Sequence, residues 1–253
     1  VPDPDGPAGT AADARTGSVA SSQDATRAGD AGVPGPDHTR LRRHPERARD
    51  GFDELAAVLD AGLFCHLGID IEGWPSAIPT LYGRNGEDLF LHGSVASRAL
   101  RTARGGVPLC VTVTLIDAIV LARSVFSHSM NYRSAMVFGR GELVEEREAK
   151  LAALNSITEH VAPGQWDYTR QPTDKELAQT SVLRMPIERW SVKVRSGPPG
   201  DGDGPDGELG LWAGELPLRL AAGELVAASD GRLGPVPAHL AALGGLLARR
   251  IAP

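Results

Sequence analysis

Residues 109–116, LCVTVTLI, alternate between apolar and polar side chains. Leu109, Val111, Val113 and Leu115 fall on one side and Thr112 and Thr114 on the other, the period of a half-buried strand. The flanking segments are of the same kind. Upstream, Asp53–Ala61 reads as a short amphipathic helix with Leu55, Val58 and Leu59 on one face, ended by Gly62. Leu63–Ile71 and Ser76–Tyr82 read as a hairpin turning at Glu72-Gly73-Trp74-Pro75, and Leu89–His92 as a third strand after a turn at Arg84–Asp88. Downstream, Asp117–Met130 fits either an extended or a helical form. Asn131–Glu145 reads as a long strand bent at Gly139 and Gly141. Glu146–Val161 carries Leu151, Leu154, Ile157 and Val161 at helical spacing. Thr173 and Glu176 form a capping box, and Val182–Ile187 and Trp190–Val194 are two further strands, with Pro186 placing the first at an edge or a bulge. Short strands with helices between them, without regular strand–helix alternation, predict a mainly β fold with α insertions, an antiparallel barrel.

Composition narrows the function. The 253 residues carry a net charge of -6, which gives no global electrostatic case for nucleic acid. The longest apolar run, Leu109–Ala122, is interrupted by Thr112, Thr114 and Asp117 and does not read as a membrane span. The start shows no basic-plus-apolar signal pattern. Cys65 and Cys110 lie in strand-like runs with no metal-ligand spacing, so a reducing, cytoplasmic setting fits and no metal site is expected. Residues 1–39 hold no Leu, Ile or aromatic side chain and read as a disordered tail. The basic run Arg40–Arg49 reads as a solvated lead-in. Residues 40–225 form the expected domain. Residues 226–253 are an extension with a helix around Ala238–Arg250. No GxxxxGK[ST], HExxH or GxSxG motif is present.

The stretch Leu89–Arg101, LFLHGSVASRALR, is the first candidate for binding chemistry. It reads as strand, sharp turn at Gly93 and helix start, with Ser94 as the cap and Ser97 and Arg98 in the first turn. Two hydroxyls, free N–H groups and a guanidinium make a phosphate cradle. By themselves these residues equally describe a Ser-capped helix with a surface arginine.

SAIPTLYGR, LFLHGSVASRALR and VTVTLIDAIVLARSVFSHSMNYRSAMVFGRGE, in this order, resemble the pyridoxamine 5'-phosphate oxidase-like superfamily of FMN-binding split barrels. The branch most similar is the flavin-nucleotide-binding one that includes nitroimidazole-resistance-type reductases. PGQW, SVLRMPIERWSVKVRSGPPGD and WAGELPL extend the resemblance over residues 45–222. It implies a split β-barrel, a homodimer and FMN in the cleft between subunits, acting on a small-molecule substrate. The strand matching Ile78, Pro79, Thr80, Leu81 and Tyr82 would run beside the isoalloxazine. His92, Gly93, Ser94, Ser97 and Arg98 would hold the ribityl chain and phosphate, and Tyr132, Arg133 and Ser134 would touch the flavin from beneath. His128 would donate a proton to a substrate taking up hydride. Each keeps a plain structural alternative: Thr80 a strand threonine, Tyr82 a core ring, Arg133 the partner of a surface acid, His128 a loop or interface histidine. Trp190-Ser191-Val192-Lys193-Val194-Arg195 departs from the substrate-holding segment of true pyridoxamine phosphate oxidases, which argues against pyridoxal phosphate synthesis. Two other readings stay open. One is heme on the same fold, with His66, His92 or His128 as axial ligand. The other is a non-catalytic flavin-binding or regulatory protein.

Overall fold

The computed structural model describes residues 39–229 and 234–252; the tail expected at 1–39 lies, apart from Thr39, outside the described residues. Among the described residues, eleven strands are arranged in two antiparallel sheets. The larger runs β1 (Ala48–Arg49), β10 (Arg189–Arg195), β7 (Ser129–Arg140), β6 (Pro108–Leu121), β2 (Cys65–Ile71) and β3 (Trp74–Thr80), with β11 (Gly214–Pro217) paired to the far end of β6. The smaller runs β4 (Tyr82–Asn85), β5 (Asp88–Ser94), β9 (Thr180–Pro186) and β8 (Glu142–Leu143). The two ladders stay separate around one core, as expected of a split barrel.

The alternation of residues 109–116 sets the inner face. Leu109, Val111 and Val113 are buried beside Leu67, Ile69, Ala135, Val137 and Val192. The smaller sheet adds Tyr82, Leu89, Leu91, Leu183 and Met185. Helix α1 (Phe52–Ala61) closes one side with Leu55, Val58 and Leu59. Each of these side chains contributes about 1.5–3 kcal/mol by leaving water.

Several expectations are corrected. The β2–β3 turn is shorter than predicted: Glu72 (φ 56°) and Gly73 (φ 82°) alone make it, and Trp74 and Pro75 are already strand. That is the two-residue, doubly left-handed turn that matches strand twist. Ser76–Tyr82 is not one strand, because the chain changes sheets at Leu81. Gly93 is no turn residue. It pairs with Ser181 inside β5, and a Cβ there would stand 2.8 Å from Leu100 Cδ1. The segment 117–130 is extended to Leu121 and resumes at Ser129, with a bulge between Ile116 and Ala118. In α3 (Arg147–Val161) Ile157 of the predicted face is buried together with Ala153, while Leu151, Leu154 and Val161 are half-buried. The helix lies against Gly83, where a Cβ would meet the backbone of Ser156 and Ile157 at 2.6 Å. The capping box opens α5 (Asp174–Gln179), which follows the single turn α4 (Gln165–Tyr168). The extension ends in α6 (Ala238–Ile251). Among the described residues, no helix is long and apolar enough to cross a membrane.

Candidate functional site

β3 is the edge of its sheet, hydrogen-bonded to β2 on one side only. It contains Pro75 and Pro79, which lack an N–H and belong where that group would face outward. Residues 75, 77 and 79 therefore turn their backbone polar groups to the free side: three carbonyls and the Ala77 N–H. Ile78 and Thr80 bond inward to β2, and Ile78 packs on the core. A planar ligand with mixed donors and acceptors along one rim could continue this sheet.

Beside this edge lies the short helix α2 (Arg98–Ala103). The Arg98 guanidinium reaches Glu72, in the β2–β3 turn, with a separation of 4.0 Å. This long contact leaves Arg98 two-thirds exposed and available to a stronger anionic partner. The helix cap differs from the predicted one. Ser97 is the N-cap, its Oγ accepting from the Leu100 N–H at 3.4 Å, while Ser94 Oγ accepts from the Ala96 N–H at 3.1 Å. Ser94 still belongs to β5, and Val95 and Ala96 form a turn before the helix. Both hydroxyls stay within the same corner as Arg98. His92 is half-buried in β5; its Nδ1 is buried without a hydrogen-bond partner, and burial lowers its pKa, leaving a neutral ring.

The structure places Ile78, Pro79 and Thr80 on the β3 edge, His92, Gly93 and Ser94 on β5, and Ser97 and Arg98 at the start of α2. Leu81 is exposed where the chain leaves β3. Tyr82 turns to the core: it is fully buried, its hydroxyl donates to the Leu59 carbonyl, and its ring lies 4.5 Å from that of His160. Burial drives its pKa far above the ordinary phenol range.

Tyr132, Arg133 and Ser134 lie elsewhere in this chain. They sit on β7, three strand steps from β3, about 14 Å at sheet spacing. Alternation puts Tyr132 and Ser134 on the outer face. Arg133 points the other way and is already engaged: it donates to both Asp117 oxygens, at 3.1 and 2.8 Å, and to the Ile251 carbonyl at 2.7 Å. His128 is exposed at the end of the β6–β7 loop, its Nδ1–H donating to the Ser124 carbonyl at 2.8 Å.

That loop is held by a residue that no motif singled out. Asp201, in the Gly/Pro/Asp-rich segment, accepts from the N–H of Arg123 (2.7 Å) and Ser124 (2.9 Å) and from the Arg123 guanidinium (3.3 Å). These hydrogen bonds, led by the Ser124 N–H, lower its pKa. The clamp leaves Val125 and Phe126 projecting almost wholly into solvent. Among the described residues, no cluster of three or more His, Cys, Asp or Glu could hold a metal ion.

Two antiparallel ladders around one core, with a polar corner beside an edge strand, define a split-barrel protein. The family model for pyridoxamine 5'-phosphate oxidase matches residues 52–194, and the chain belongs to this family. Among solved structures, the flavocytochrome Anf3 from Azotobacter vinelandii is similar, with 34% identity and a TM-score of 0.74 over 81% of this chain and 95% of that one. The FAD and heme binding protein from Mycobacterium smegmatis is 35% identical, with a TM-score of 0.74 over 78% of this chain and 97% of that one. Comparison with curated protein sequences gives no match.

Proposed function

We propose that the protein is a flavin-dependent oxidoreductase that holds the FMN moiety of its cofactor in the β3–α2 corner and passes hydride or electrons to a small organic acceptor. The observation that carries this reading is the approach of Arg98, which follows the Ser94 and Ser97 hydroxyls, to the turn that opens the free β3 edge. The backbone of residues 75, 77 and 79 would meet the polar rim of the ring system. Arg98 and the two hydroxyls would meet the phosphate, a dianion that favours charge-assisted donors. A bound flavin supplies reversible hydride and one-electron transfer, while the chain supplies orientation and electrostatics. The family match and the flavin-related names of both relatives support the reading. The M. smegmatis relative is named for FAD, which carries the same moiety with an adenylate attached.

The reading includes a homodimer. His128, Tyr132 and Ser134 lie apart from the corner within one chain and would reach the flavin only from a second copy. The outer face of β6 and β7, which exposes Ile119, Met130 and Met136, suits such a contact. His128, with Nδ1–H bonded to Ser124, keeps Nε2 free, and in its imidazolium form would give the Nε2 proton to the reduced acceptor.

The names of the two relatives and the unpartnered, neutral ring of His92 favour a second reading, in which heme accompanies the flavin.

The test is the visible spectrum of the purified protein and the mass of the chromophore released on denaturation. FMN or FAD, lost from Arg98→Ala, supports the first reading, and the mass separates the two. A Soret band in addition, lost from His92→Ala, supports the second. A protein that takes up neither flavin on reconstitution overturns the proposal.

A further inference from the structure

A cavity of about 540 Å³ lies between the end of β6 and the C-terminal extension, away from the Arg98 corner. A solvent-open space of this size is within the range of small-molecule sites. Its walls are mainly apolar: Phe64, Leu115, Ile116, Leu218, Leu220 and Ile251. Helix α6 forms the roof and turns Gly244 and Ala248, one helical turn apart, toward the space.

The N-terminal end of the roof meets Gln165 and Tyr168 through His239, and its C-terminal end is fastened at two further points. Arg133 donates to the Ile251 carbonyl. Arg250 donates to the carbonyls of Asp60, Gly62 and His160. Both anchors lie at the C-terminal end of the helix, so the cavity is held open beneath a docked element rather than left by a loose one.

The charge in the wall is one-sided. Asp117 lines the cavity, but both its oxygens are taken by Arg133. Arg219 is the other charged lining residue, and it forms no hydrogen bond or ion pair among the described residues. The wall therefore offers a long apolar surface and one uncompensated cation at an exposed rim. It carries no His, Cys or Met that could ligate a metal.

We propose that this cavity binds an apolar carboxylate, its hydrocarbon body beneath α6 and its head group against Arg219. The absence of a ligating side chain from the wall favours a metal-free acid over a porphyrin dicarboxylate.

The test is calorimetric titration of the full chain, as purified, with dodecanoate, dodecanol and hemin. Dodecanoate is expected to bind saturably and more tightly than dodecanol. Arg219→Gln should weaken dodecanoate about three- to fivefold, the range of an exposed ion pair, and leave dodecanol unchanged. Ala248→Leu fills the space from the roof and should abolish binding of both. If Ala248→Leu alters the near-UV circular dichroism, Leu220→Gln serves as the second wall variant. No saturable binding of dodecanoate below its micelle concentration overturns the proposal, as does binding indifferent to both wall variants. Hemin bound with a Soret shift that Ala248→Leu abolishes, while dodecanoate fails to bind, assigns the cavity to a porphyrin instead.

Discussion

Acid should loosen this protein through one histidine. His160, on α3, is wedged against the Tyr82 ring and the end of α1. Its Nε2–H donates to the Gly62 carbonyl at 2.8 Å, and its Nδ1 accepts from Arg250 at 3.0 Å. Both ring nitrogens are thus satisfied in the neutral form. A second proton would have to be placed at Nδ1, facing a guanidinium. Burial first, and Arg250 second, push its pKa down from 6.5 to about 4. The unfolded chain takes up the proton below about pH 6.5 and the folded chain only near pH 4. Stability is therefore complete above the unfolded value and falls with falling pH between the two. At about 1.36 kcal/mol per unit, the loss from this group is about 2 kcal/mol by about pH 5 and about 3 kcal/mol at its limit. His160→Gln keeps a donor for Gly62 without a titrating ring. Urea unfolding of both proteins from about pH 7.5 to about pH 5 isolates the contribution, because the carboxylates are common to both. The difference in unfolding free energy should shrink by about 2 kcal/mol across that window. Parallel curves would refute the argument, since they would mean that His160 has the same proton affinity folded and unfolded.

Other outcomes follow from close contacts. Gly83→Ala drives a methyl into the α3 backbone, which cannot move like a side-chain end, and should destabilise by at least about 2 kcal/mol in the same urea assay. Tyr82→Phe removes a buried hydroxyl and leaves the Leu59 carbonyl without its donor, for a loss of about 1–2 kcal/mol in thermal or urea unfolding. Asp201→Ala should abolish hydrogen-exchange protection of the Arg123 and Ser124 amides while β6 keeps its own; unchanged protection would show that the loop is held by something else. Burial pushes the Cys65 thiol up to about 12, so near pH 8 a thiol reagent should modify the less buried Cys110 first, and Cys65 only on unfolding.

Much of this protein is local and was therefore legible. The clean alternation of 109–116, the capping box at Thr173, the amphipathic α1 and the terminal helix depend on neighbours within a few residues, and the structure contains each of them. The Ser94–Arg98 segment was legible as a group for the same reason. The exact cap was not, because β5 pairs with β9 as far as Thr180 and so draws Ser94 into the sheet. A signal for the edge position of β3 was available in Pro75 and Pro79, four residues apart.

The sequence by itself determined the elements, the mainly β class and the family, because side-chain periodicity and turn chemistry act over short distances. Only the tertiary structure decided which faces those elements present. Tyr82 belongs to the core because α1 offers it a carbonyl 23 residues away. Arg133 is spent on Asp117 and on the end of α6, the latter 118 residues on. The β6–β7 loop depends on an aspartate 78 residues downstream. Such partners are chosen by how two sheets and a terminal helix close over one core, and no local pattern in the chain carries that choice.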